Sequence, residues 1–167
     1  DKDSTIDHII DFLTDKQVNF KHTKESISIP CTSCKTLVDY QKDHKHVVPY
    51  QNVVNIGLTL IPQLKWLHQR NYVINQLYRK DVIVIDNSIA LYVGVHHIES
   101  LTDKSTTIPE NIYTFGVLLI KLLFNKDITK EKYKPEKVIE PLYYTPLYWS
   151  ITRMLDKSPD NRVLVYI

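Results

Sequence analysis

Apolar residues along this chain recur with two different spacings, and the switches between them predict its elements. From Tyr50 to Gln69 the positions Val53, Ile56, Leu60, Leu64 and Leu67 repeat at three and four residues, the stripe of an amphipathic helix. Pro62 falls inside that stretch and, lacking an N–H to donate, is expected to kink it. Thr36 to His46 reads as a short polar-faced helix carrying Leu37, Val38 and Tyr40. Val82-Ile83-Val84-Ile85, then Asp86-Asn87, then Ile89-Ala90-Leu91-Tyr92-Val93 predict a hairpin of two short strands over 82–93. Tyr113 to Phe124 is apolar on almost every side, so a helix at 110–124, introduced by Pro109, should be buried all round. Pro146 to Asp156 predicts a final helix.

The remaining stretches are less regular. Ile6, Ile9, Ile10 and Phe12-Leu13 make one apolar patch, and Ser26-Ile27-Ser28-Ile29 alternates until Pro30 stops it. Residues 1–30 are therefore expected to be short strands and connections. Residues 95–108 are polar and threonine-rich, a loop. The pattern as a whole predicts a mainly α fold with a small β component, organised as a single domain over 1–167.

Composition narrows function more than fold. A net charge of +2, with Lys16, Lys42, Lys80, Lys126 and Lys137 spread along the chain, gives no basic stripe for a nucleic acid. No apolar run approaches the ~20 residues that span a bilayer. Asp1-Lys2-Asp3-Ser4 lacks the order of a secretory signal. Two cysteines make no disulfide framework, and an intracellular setting, cytoplasmic or nuclear, is expected. The three glycines, Gly57, Gly94 and Gly116, lie far apart, so no glycine-rich loop is present to cradle phosphates.

Four segments, in order, resemble the protein-kinase family. Leu64-Lys65-Trp66-Leu67-His68-Gln69-Arg70-Asn71 is similar to the end of the helix preceding the kinase catalytic loop. The stretch from Val73 to Ile85 matches that loop and its following strand in length and apolar pattern. Asn111 to Leu119 looks like the family's central helix, and Arg153 to Arg162 like its late helix and arginine turn. The resemblance implies a kinase C-lobe over 36–167, with residues 1–35 a small-lobe or hinge remnant. It also implies that Ile108-Pro109-Glu110 ends a shortened activation segment, with Glu110 pairing with Arg162.

The departures from the family matter more than the match. Where kinases carry His-Arg-Asp, this chain reads Ile74, Asn75 and Gln76, and a glutamine amide is no base near neutral pH. The family's metal-binding asparagine is Asp81 here, which still offers an oxygen to a cation. The metal-binding Asp-Phe-Gly becomes Tyr92-Val93-Gly94, a phenol in place of a carboxylate. The glycine loop and the phosphate-pairing lysine strand have no counterpart. No catalytic residue and no cofactor are expected. The implied role is that of a pseudokinase: a scaffold, complex subunit or kinase-lobe-mimicking regulator that binds another protein, such as an active kinase.

Other residues suggest other chemistry. A diverged nucleotide-binding phosphotransferase would rely on Asp81 and Asp86. Cys31-x-x-Cys34 with His44-x-His46 suggests a zinc-stabilised module, against the commoner role of such cysteines as small apolar packing residues. His96-His97, in a polar loop without an evident carboxylate, are expected to be solvated. The run from Leu142 to Trp149 has two readings. Either Leu147 and Trp149 fill the core while Tyr143 and Tyr144 cap it, or Tyr143, Tyr144, Tyr148 and Trp149 form a protein-binding surface.

Overall fold

The stripe around Leu60 becomes the axis of the molecule. A computed structural model, describing residues 6–103 and 106–165, forms one continuous helix over Tyr50–Gln69 that buries Val53, Ile56, Leu60, Leu64 and Leu67. It runs through Pro62, which faces solvent; Leu58, whose carbonyl loses its helical donor there, is also exposed, where water can satisfy it.

In chain order the elements are α1 (Asp7–Asp15), β1 (Lys21–His22), β2 (Ile27–Ser28), β3 (Cys34–Thr36), α2 (Leu37–Asp43) and α3 (Tyr50–Gln69). These are followed by β4 (Tyr72–Ile74), β5 (Val82–Ile85), β6 (Ile89–Tyr92), β7 (Ile98–Ser100), α4 (Ile108–Phe124), α5 (Pro135–Val138) and α6 (Pro146–Met154). The result is a small mixed α/β domain, about 51% helical and 13% strand, so the mainly helical expectation holds at that level. Its sheets are small and antiparallel: β1 with β2, β3-β5-β6, and β4 with β7. Asp1 to Ser4, which lack the order of a secretory signal, lie outside the described residues. No helix among the described residues is long and apolar enough to cross a membrane.

Two expectations fail in instructive ways. The patch Ile6–Leu13 is a helix, not a strand: Ile9, Phe12 and Leu13 recur at helical spacing and pack on Ile85 and Leu91 in a small core of their own. The polar stretch 95–108 is not all loop. Ile98–Ser100 pairs with β4 in the register Tyr72↔Ser100, Val73↔Glu99, Ile74↔Ile98. Three residues are too few for alternation to stand out from a polar background.

Local chemistry fixes the ends of the elements. Thr107 and Glu110 form a reciprocal capping box at the start of α4, and Asn125, left-handed at φ 53°, ends it. The hairpin turns through Asp86 and Asn87, both left-handed, with Ser88 N–H closing on the Ile85 carbonyl at 3.1 Å. In α4, Phe115 and Leu119 are fully buried, as a central helix requires. Gly116 lets α6 approach, because a Cβ there would stand 3.1 Å from that of Met154.

Candidate functional site

The strand pair β4–β7 folds the segment after Ile74 against the segment after Tyr92. Asn75 N–H donates to the His97 carbonyl at 2.8 Å, and Val93 N–H donates to the Asp81 carbonyl at 2.8 Å. From the central helix, the buried Asn111 holds Ile74 by both backbone groups: its Nδ2 donates to the carbonyl at 3.0 Å and its Oδ1 accepts from the N–H at 3.2 Å. His68 Nε2 donates to the same Oδ1 at 2.9 Å. Burial pushes the His68 imidazole pKa below its ordinary value, with the Asn111 bond opposing.

Asp81, Tyr92, Gly94, His96 and His97 meet at this junction. The Tyr92 hydroxyl points inward and donates to the Gly94 carbonyl at 2.9 Å. Burial, helped by the charge of Asp81, raises the phenol pKa well above its ordinary value, so it stays a neutral donor. Gly94 is needed for close approach, not for a positive φ: a Cβ would lie 2.6 Å from the Tyr92 hydroxyl and 2.8 Å from Asp81 Cβ. Asp81 is buried, and its Oδ2 has no hydrogen-bond donor. His97 Nε2 lies 3.7 Å from that oxygen. The expectation of solvated histidines without a carboxylate is therefore corrected for His97, which the β4–β7 pair carries to Asp81. His96 is exposed.

Beside the junction opens a cavity of about 490 Å³ lined by Asn75, Gln76, Tyr78, His97 and Thr106. Gln76 accepts a hydrogen bond from the Tyr78 hydroxyl, and the Tyr78 ring meets His97 edge-on at 5.3 Å. The cavity is thus rimmed by amides, a phenol and an imidazole, and the Gln76 side chain is already engaged.

The other sequence candidates are scattered. Asp86 is at the hairpin turn, where its Oδ1 accepts from Thr32 N, Thr32 Oγ1 and Ser33 N at 2.8–2.9 Å. Those bonds, the Ser33 amide foremost, lower its pKa. The length of β5, roughly 13 Å at ~3.3 Å per residue, separates it from Asp81, so the two do not share an ion. Cys31 and Cys34 are free and exposed, which corrects the packing role expected of them. His44 Nδ1 is spent on the Tyr40 carbonyl at 2.9 Å, and His46 is exposed. Among the described residues, the one set of three ligand-type side chains with ligand atoms within 4.8 Å of one another is Asp81, His96 and His97, without either cysteine.

The pairing of Glu110 with Arg162 is also corrected. Glu110 caps its own helix through Thr107 N, while Arg162 reaches the Pro109 carbonyl at 3.2 Å and the Asp156 carbonyl at 2.8 Å. Its guanidinium lies 4.8 Å from the centre of the Tyr113 ring. In the aromatic run, Leu142 and Leu147 are buried. Tyr143, Tyr144 and Trp149 are 46%, 97% and 54% exposed, so of the two readings the core one fails for Trp149. On α6 the buried face is Leu147, Ser150, Ile151 and Met154, and Trp149 falls outside it. Tyr148 is half-buried, edge-on to both Tyr143 and Trp149.

No protein-family model matches the chain, and no curated protein matches it significantly.

Proposed function

We propose that this chain is a catalytically inactive, kinase-like lobe that works by binding another protein. The support for inactivity is the Tyr92–Gly94 bond beside Asp81. At the position where a kinase would present a metal-binding carboxylate stands a buried, neutral phenol whose hydroxyl is already used. Gln76, at the position of the catalytic base, is an amide bonded to Tyr78. The kinase-like half of the reading draws on the order of elements: long helix α3, the loop to β5, the hairpin, the apolar α4, and an arginine turn docked on the start of α4. The binding half of the reading draws on Tyr143, Tyr144 and Trp149, large aromatics left in solvent beside the buried Leu142 and Leu147.

The test is a calorimetric titration of the purified chain with ATP and magnesium. The expected result is no magnesium-dependent dissociation constant below about 1 mM, a binding energy near −4 kcal/mol. Tyr92→Asp should not create one, because the parts of a phosphoryl-transfer site act together. Saturable micromolar binding would overturn the reading and favour a diverged nucleotide-binding enzyme.

A further inference from the structure

The junction of Asp81, His96 and His97 has the donor set of a metal centre of a different kind. Three observations bear on it. The first is the Asp81 carboxylate, whose buried Oδ2 accepts no hydrogen bond. A buried carboxylate oxygen without a donor is costly unless a cation faces it. The second is the orientation of His97. Its Nδ1 lies 3.1 Å from Asn75 Oδ1, and Asn75 Nδ2 in turn donates to Glu99 Oε2 at 3.2 Å. The carboxylate can only accept, so it fixes the Asn75 amide with Oδ1 toward the imidazole. That oxygen takes the Nδ1 proton, so Nε2 is the nitrogen turned toward Asp81. It stands 3.7 Å from Oδ2, too far for a direct hydrogen bond but suited to a shared ion. The third is His96, whose ring centre lies 4.1 Å from that of His97 and which completes the set of ligand atoms within 4.8 Å of one another.

Two ligands bound at ~2.0–2.1 Å with tetrahedral geometry stand roughly 3.4 Å apart. The Asp81–His97 separation is close to that already, and exposed His96 is free to adjust. Two imidazoles and one carboxylate suit zinc and its neighbours, whereas magnesium prefers an all-oxygen shell. The Glu99–Asn75–His97 chain is the outer support that orients a ligating histidine and sets its tautomer.

We propose that Asp81 Oδ2, His97 and His96 bind one zinc-class divalent ion, with Asn75 as the positioning residue. Three protein ligands leave a further coordination position for water or a ligand. Neither the kinase-like reading nor a nucleotide is needed for this site, and the cysteines take no part in it.

The test uses the whole chain, freed of metal by a chelator and titrated with zinc against a chromophoric competitor, with cobalt as a visible-spectrum probe. The expected result is one equivalent of zinc, not displaced by millimolar magnesium, and a cobalt spectrum of low coordination number. His96→Ala, His97→Ala and Asp81→Asn should each weaken binding at least about tenfold. Asn75→Ala should weaken it about 10- to 100-fold, the usual effect of losing an outer-shell partner. Cys31→Ser with Cys34→Ser should bind as the parent does. Should Asp81→Asn fail to fold, His96→Ala decides the matter, because that side chain is in solvent. Absence of stoichiometric uptake overturns the proposal, as does uptake that survives His96→Ala or vanishes with the cysteines.

Discussion

The Tyr92 hydroxyl and the Gly94 carbonyl are joined at 2.9 Å, and a Cβ at residue 94 would stand 2.6 Å from that hydroxyl. The bond and the missing side chain belong to one packing solution, which seats Asp81 beneath the turn.

Gly94→Ala is therefore expected to destabilise the fold by about 1–3 kcal/mol, the range for forcing a methyl into a packed site. Asp81 cannot step aside easily, since its carbonyl accepts from Val93 N–H. Tyr92→Phe should cost less, about 0.5–1.5 kcal/mol, because the Gly94 carbonyl keeps a second donor in His97 N–H. Urea unfolding of both variants checks the order. A Gly94→Ala variant as stable as the parent would mean the turn is loosely packed.

Phe115 and Leu119 lie one turn apart on α4 at 0% and 1% exposure. Truncating either to alanine should cost roughly 2–5 kcal/mol through lost transfer energy and the cavity left behind. The expected readout is a lower urea midpoint with an unchanged slope. Losses below 1 kcal/mol at both sites would mean that α4 is not the centre of the core.

Those two residues were legible in the sequence because a helix apolar on every side can only be interior. The stripe of α3 and the hairpin were legible for the same reason, since periodicity reports burial. What could not be read was pairing between segments distant in sequence. Gln63 lies on the buried stripe of α3, and its amide donates to the Ala90 carbonyl at 2.8 Å and accepts from Tyr92 N–H at 3.0 Å. Thr59 Oγ1 accepts from Ala90 N–H at 3.1 Å, so α3 supplies the partners that β6 lacks as an edge strand. A glutamine three residues from Leu60 and four from Leu67 was the available signal. At the site, Asp81 was legible as a possible ligand from its place in the loop. His97 was not, because only the three-residue pair β4–β7 carries it there.

The pH dependence follows from His68. Its folded pKa lies below the ordinary 6.5, so above that pH both folded and unfolded forms are neutral there and its contribution is fully present. As pH falls below 6.5 the unfolded chain takes up the proton first, and stability drops until the folded pKa is passed. The slope from this one group is at most ~1.4 kcal/mol per pH unit. His68→Gln should flatten the fall between parent and variant when unfolding free energies are compared from pH 7.5 to pH 5. An identical profile in both proteins would assign the acid sensitivity to other groups.

The last expectation concerns the aromatic run. Tyr144 is 97% exposed and has left-handed backbone at φ 68°, an unfavourable conformation for a bulky residue with no burial to offset it. Thr145 caps α6 through Tyr148 N–H, and Pro146 opens that helix, so the segment is held stiffly in place. A rigid aromatic surface loses little entropy when a partner covers it. Tyr144→Ala keeps the same left-handed cost, and Trp149→Ala removes a ring that is half in solvent, so both variants should melt within a few degrees of the parent. Tyr144→Gly should melt at the same temperature or higher, since glycine adopts this backbone freely. If the run is a binding surface, at least one of Tyr143→Ala, Tyr144→Ala and Trp149→Ala will weaken capture of a protein partner by more than about 1 kcal/mol, the ordinary threshold for an interface anchor. Tyr148→Ala should instead lower stability, because its half-buried ring supports Tyr143 and Trp149 edge-on. Unchanged capture in all three exposed variants would place the interface elsewhere on the domain.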